Sequence, residues 1–142
     1  MGSTFDHLKV KWQRGMPFLV QAPLPLNGIT SDIDITGDVQ GKFLLSCPMD
    51  SALMLANQFG STFGMPPSIA FEDMQRSAFS EIANLIGGKT AASFSRANLQ
   101  VNISPPSLME GEHLLSTIVP SQMLKIPFTI EDKETNLYVA LN

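Results

Sequence analysis

Cysteine, histidine and charge are all scarce in this chain of 142 residues. The single cysteine, Cys47, cannot form an intrachain disulfide, which favours a reducing compartment, and its place at the end of an apolar run predicts a core residue. Two histidines and no C-x-x-C pair do not match zinc-site patterns, so we expect no metal site in the chain. Lys and Arg number 9 against 13 Asp and Glu, an acidic balance that argues against nucleic acid as a partner.

Long apolar runs are also missing. No stretch approaches the roughly 18 apolar residues of a membrane span, and the N-terminus lacks the apolar segment of a signal peptide. We therefore expect a soluble, cytoplasmic protein with no membrane partner. Charged residues make up 15% of the chain, against a usual value of about 25%. This deficit indicates either a surface rich in uncharged polar groups or an apolar surface covered by a partner.

The first third of the chain predicts strands. Residues 7–12 alternate apolar with polar side chains, which favours a strand, although a helical stripe also fits. Prolines at positions 17, 23 and 25 exclude a regular central strand or helix in the stretch that follows. Residues 31–36 and 42–46 then predict a hairpin, with Ile33 and Ile35 on one face and Asp32 and Asp34 on the other.

The remainder predicts helices followed by more strands. Helices are expected over residues 50–59 and about 69–95, and alternating strands over 99–103, 124–130 and 137–141. Residues 105–122 have no clear pattern beyond an apolar segment near 114–119, which suggests a buried edge. The predicted fold is α+β, with a largely antiparallel sheet and two helices, one of them long, packed on one face. The alternating C-terminal strands are candidates for an exposed sheet edge.

The long helix has one unusual face. At about 100° per residue, Ala78, Ile82, Leu85 and Ile86 form its predicted core stripe. The opposite face holds Glu81 and Asn84 one turn apart. Their neighbours on that face are small: Ser77, Ser80, Gly87 and Gly88.

Such a face allows two interpretations. Solvated helix faces usually carry Lys, Glu and Arg, and each glycine costs about 1 kcal/mol relative to alanine. A flat face with only Glu81 and Asn84 projecting from it suits the close approach of another protein. Alternatively, Gly87 and Gly88 serve close packing inside the fold and the two polar residues are merely exposed. The E-x-x-N spacing by itself does not decide between these.

The segment EIANLIGG, residues 81–88, resembles the helix signature of the CheC/CheX/FliY chemotaxis phosphatases, in which E-x-x-N is followed closely by glycine. The run ITGDVQGKFLLS, residues 35–46, resembles the first hairpin of the CheX type. The resemblance covers about residues 29–142 and leaves residues 1–28 as a divergent N-terminal segment packed on a single domain. CheC-type members carry two E-x-x-N helices and this chain has one, which is similar to CheX.

The resemblance implies hydrolysis of the aspartyl phosphate of a phosphorylated CheY-like response regulator in chemotaxis or another two-component pathway. By this resemblance, Asn84 positions an attacking water in line with the phosphorus and Glu81 engages the regulator's active-site lysine. Ser77, Ser80, Gly87 and Gly88 then form the docking face. No cofactor is expected in this chain, because the magnesium ion belongs to the regulator. The resemblance also suggests a homodimer.

Two other functions remain open at this point. One is a non-catalytic binding module or adaptor of the same fold, in which Glu81 and Asn84 serve docking alone. The other is a structural domain that does not bind response regulators.

Overall fold

The fold is seen in a computed structural model, which describes residues 11–21, 24–111, 113–115 and 122–141. In chain order the strands are β1 (Trp12–Arg14), β2 (Phe18–Gln21), β3 (Leu24–Leu26), β4 (Ile29–Gly37) and β5 (Gly41–Cys47). Helices α1 (Met49–Ser61) and α2 (Asp73–Arg96) follow. The chain continues with β6 (Val101–Ile103), β7 (Ser107–Glu110), β8 (His113–Leu115), β9 (Gln122–Ile130) and β10 (Lys133–Leu141).

Antiparallel pairing joins most of these strands into one sheet, in the order β1-β9-β10-β5-β4-β6. Strand β2 also pairs with β9, at residues 122–125, while β1 pairs with residues 128–130 of the same strand. In the same way β7 pairs with residues 29–32 of β4 and β6 with residues 35–37. Strands β3 and β8 form a separate two-stranded ribbon. Within the described residues this is an α+β fold with two helices and an antiparallel sheet, as the sequence predicts.

The predicted hairpin is confirmed as β4 and β5, in a register that pairs Ile33 with Phe43. Side chains alternate across it, so Ile33 and Ile35 are buried on the side of the helices. On the other side Lys42 bridges two aspartates, with its Nζ 2.8 Å from Asp32 and 3.2 Å from Asp34. The two aspartates are therefore paired groups rather than simply solvated ones.

The main core lies between the sheet and the two helices. Leu55 of α1 and Phe79, Ile82 and Ile86 of α2 are fully buried against the apolar face of β4, β5, β9 and β10. A smaller cluster on the opposite face of the sheet is centred on Leu44. The core therefore fixes α2 along its buried stripe and leaves its other side available.

Two sequence expectations need correction, and a third falls only partly within the described residues. The C-terminal strands are not a free edge, because β10 lies between β5 and β9, and β9 is itself covered by β1 and β2. The long helix begins at Asp73 rather than near residue 69, because the backbone N–H of Glu72 donates to Gln75 Oε1 at 2.9 Å and closes its first turn. The apolar segment near 114–119 is strand β8 as far as Leu115, and residues 116–121 lie outside the described part.

The N-terminal part contains short strands on the sheet edge and in the ribbon, as its prolines require. Pro17 precedes β2, and Pro25 lies within β3 of the two-stranded ribbon. The predicted strand over residues 7–12 lies almost wholly outside the described residues, where β1 begins at Trp12.

Candidate functional site

Helix α2 presents two very different sides. Its buried side consists of Gln75, Phe79, Ile82, Ala83, Ile86 and Gly87. Its exposed side carries Ser77, Glu81, Asn84 and Gly88, which we call the Glu81–Asn84 face. The interval between Glu81 and Asn84 is one helical turn, which places their Cβ atoms about 5–6 Å apart.

The side chains of Glu81 and Asn84 make no polar contact with the described part of the chain. Neither side chain forms a hydrogen bond or an ion pair there, and both residues are exposed. The carboxylate and the amide can therefore hydrogen-bond to an incoming molecule without first breaking an internal bond.

The two glycines have separate roles, and the packing alternative raised by the sequence applies to Gly87 alone. A Cβ at Gly88 would have no atom within 4 Å, so Gly88 is a gap on the exposed face. A Cβ at Gly87 would lie 3.1 Å from Ile103 Cδ1 and 3.3 Å from Ile33 Cδ1. The prediction that Gly87 belongs to the docking face is therefore wrong, because this glycine is buried against the sheet.

The two serines predicted for the docking face, Ser77 and Ser80, also differ in exposure. Ser77 is exposed beside Glu81, whereas Ser80 is half-buried toward the sheet side of the helix. Leu85, predicted in the core stripe, is 37% exposed and lies next to the Glu81–Asn84 face. The buried stripe is rotated away from its predicted position because Ile33 and Ile103 contact the Gly87 side of the helix.

Apolar side chains near this face escaped the sequence analysis. Met74 is 58% exposed and lies seven residues before Glu81, so it belongs to the same helical stripe. Phe63, in the segment between α1 and α2, is 70% exposed. The seven-residue spacing between Met74 and Glu81 could have predicted that Met74 lies on this face of the helix. The position of Phe63 could not be predicted in this way, because it depends on how the segment between α1 and α2 folds back.

The segment between the helices is held in place by Asn57 of α1. The Asn57 amide donates to the backbone oxygen of Ser68 at 2.8 Å and accepts from its N–H at 3.0 Å. The rings of Phe59 and Phe63 lie with centroids 5.2 Å apart. These contacts shape an open cavity of about 300 Å³ between α1 and the first half of α2.

An ion-pair cluster anchors the start of α2. The Arg76 guanidinium donates to Glu110 Oε2 at 2.7 Å and also to Asp73 at 2.9 Å. The hydrogen bond from Arg76 holds the pKa of the Glu110 carboxyl below its usual value. These ion pairs hold the first turn of α2 against β7.

Comparison with known proteins identifies the family. Residues 29–129 match the family model described as chemotaxis phosphatase CheX. The matched residues are well over half of the chain. The chain belongs to the CheX family.

Individual CheX relatives agree with this assignment. The CheY-P phosphatase CheX of Thermotoga maritima is 24% identical over 129 residues, which are 91% of this chain and 81% of the relative. The structure of chemotaxis protein CheX from Desulfovibrio desulfuricans has a TM-score of 0.85 at 17% identity, covering 99% of this chain and 92% of that one. The CheX–CheY–BeF3–Mg²⁺ complex from Borrelia burgdorferi gives 0.76 at 21% identity, covering 99% and 92%. At these identities the solved structures show the fold.

Two other kinds of feature are absent from the described residues. No group of three or more His, Cys, Asp or Glu side chains there is arranged to hold a metal ion. No helix of that part is both long and apolar enough to cross a membrane.

Proposed function

We propose that this chain hydrolyses the aspartyl phosphate of a phosphorylated CheY-like response regulator, called the receiver below. The observation that carries the proposal is the pair Glu81 and Asn84 on one helix of a CheX-family fold, both exposed and with no side-chain hydrogen bond to any described residue. The name of the Thermotoga maritima relative, CheY-P phosphatase, supports the same reaction.

The reaction needs positioning more than covalent assistance. The Asn84 amide orients a water molecule, whose oxygen attacks the phosphorus in line with the aspartyl oxygen. The bond between phosphorus and that oxygen breaks, so inorganic phosphate leaves and the receiver's carboxylate is restored. The Glu81 carboxylate docks against the receiver's active-site lysine and fixes the distance between the two proteins. The receiver supplies the phosphoryl group, the lysine and the magnesium ion, so this chain contributes no cofactor.

Replacement of Asn84 by alanine tests the proposal. We expect Asn84→Ala to slow receiver dephosphorylation by about 10²–10³-fold, the usual effect of losing one positioned transition-state hydrogen-bonding group. Because the Asn84 side chain is exposed and bonds to none of the residues that the structure describes, the free energy of unfolding should change by less than about 0.5 kcal/mol. The matched control is Asn102→Ala, an exposed asparagine of β6 that is not on α2.

The measurement is the decay of labelled phosphoryl group on CheY-like receivers from the same genome, with and without the protein. Unchanged acceleration by Asn84→Ala would rule out the assigned role. Tight binding of a beryllofluoride-activated receiver without faster decay would identify a docking module or adaptor instead. Absence of both binding and decay with every receiver would leave a structural domain.

We also propose that the protein is cytoplasmic and forms a homodimer. A receiver partner is consistent with the cytoplasm, and the single cysteine suits its reducing conditions. Light scattering should give a mass near 31 kDa, twice the 15.4 kDa chain. A monomeric mass at all concentrations would exclude the dimer.

A further inference from the structure

The cavity between the helices is apolar and adjoins the proposed catalytic residues. Phe59, Phe63 and Met65 line it from α1 and the following segment, and Met74 and Ala78 line it from α2. Ser77 and Glu81 also line it, so the cavity and the Glu81–Asn84 face share residues. The cavity is thus continuous with the proposed catalytic surface.

This continuity limits what can occupy the cavity during the reaction. A receiver that brings its phosphoryl group to Asn84 must seat its surface over Glu81, only one turn away. The cavity, which the exposed residues Glu81 and Ser77 help to line, then lies beneath the receiver. An apolar cavity left empty there would forfeit contacts on one side, and trapped water would find few polar partners.

We propose that the cavity binds one apolar side chain of the receiver, next to its phosphorylated aspartate, as an anchor that contributes affinity rather than chemistry. This inference rests on the proposed phosphatase function. A volume of about 300 Å³ is at the lower limit of ligand pockets, which suits a single large side chain. Anchors that fill such pockets near the centre of an interface dominate protein–protein affinity.

The walls of the cavity are held together by contacts within the chain itself. The two hydrogen bonds between Asn57 and Ser68 tie the segment to α1, and the Phe59–Phe63 ring contact supports its outer wall. A preformed pocket avoids the entropic cost of ordering side chains on association. The exposed apolar area of Phe63 and Met74 is explained in the same way, because the receiver covers it.

The test separates affinity from turnover. Met74→Ala removes one wall of the cavity and Ala78→Leu fills it, and both positions are at least partly exposed, so the fold should tolerate them. Each variant should raise both KM for the phosphorylated receiver and Kd for the beryllofluoride-activated receiver by about fivefold or more. The value of kcat at saturating receiver should change by less than about twofold, because these residues bind without taking part in the reaction. Met16→Ala, an 83% exposed methionine between β1 and β2, is the matched control and should change neither constant.

Unchanged KM and Kd in both variants would overturn the anchor, whatever the activity of the wild type. If the wild type binds the activated receiver but does not accelerate decay, the phosphatase proposal fails alone and the Kd values still test the cavity. If the wild type neither binds nor accelerates, both proposals fail. A double-mutant cycle between Met74→Ala and truncation of each apolar side chain around the receiver's aspartate should find coupling at one receiver position.

Discussion

The two adjacent glycines of α2 offer a paired test of the structure, because they differ in surroundings and share one helix. Glycine in a helix interior costs about 1 kcal/mol relative to alanine. At Gly88 an added methyl group would meet no atom within 4 Å, so Gly88→Ala should recover this full amount. For a chain of 142 residues we expect a rise in Tm of about 3–4 °C.

Gly87→Ala gains the same helix propensity but must fit beside two isoleucines. Its Cβ would lie 3.1 Å from Ile103 Cδ1 and 3.3 Å from Ile33 Cδ1, so both side chains must move. Overpacking of this kind costs about 1–3 kcal/mol. The net change should be between zero and about 2 kcal/mol of destabilisation, in contrast to the stabilisation expected of Gly88→Ala.

Urea unfolding followed by circular dichroism measures both variants under the same conditions. Stabilisation by Gly87→Ala equal to that by Gly88→Ala would refute the placement of Gly87 against the sheet. A third variant, Gly88→Leu, connects stability with activity. Its side chain should leave the fold intact and hold the receiver away from Asn84, so phosphatase activity should fall while Tm does not. Full activity in Gly88→Leu would refute a close approach at this point of the helix.

Three further predictions concern the rest of the molecule. Burial raises the pKa of the Cys47 thiol, so at pH 8 a thiol reagent should label it only as the protein unfolds; rapid labelling of the native state would contradict its position at the end of β5. Arg76 lowers the pKa of Glu110 in the folded state, so the pair stabilises the fold above the unfolded pKa near 4.5 and loses this effect as pH falls. The difference in urea midpoint between wild type and Arg76→Gln should therefore shrink from pH 6 to pH 3, and a constant difference would exclude this linkage. Phe79→Ala should cost about 3–5 kcal/mol in the same unfolding assay, because Phe79 is fully buried between α2 and the sheet, and a smaller loss would contradict that burial.

Local patterns in the sequence were sufficient to predict strand β4 and the helix α2 on which Glu81 and Asn84 lie. The alternation of Ile33 and Ile35 predicted the inward face of β4, and the spacing of Glu81 and Asn84 placed both on one exposed helix face. Both inferences depend only on the period of a strand or helix. The α+β class followed from the same periods.

Long-range contacts account for what the sequence did not reveal. Pairing of β2 with β9 and of β3 with β8 joins distant parts of the chain, and no local period encodes it. Gly87 was assigned to the wrong side because only the packed positions of Ile33 and Ile103 show which part of the helix meets the sheet. The cavity beside Glu81 depends on a segment positioned by Asn57, whose two hydrogen bonds have no sequence signature.

The separation of buried and exposed sides on α2 has an evolutionary consequence. Glu81 and Asn84 contribute nothing to the core, so mutations at either position meet little selection from folding. With the roles proposed for Glu81 and Asn84, a lineage could lose or regain hydrolysis through one or two codon changes while retaining the scaffold. Fold similarity is for this reason a poor guide to activity among descendants of such a protein, and the residues at these two positions are the informative characters.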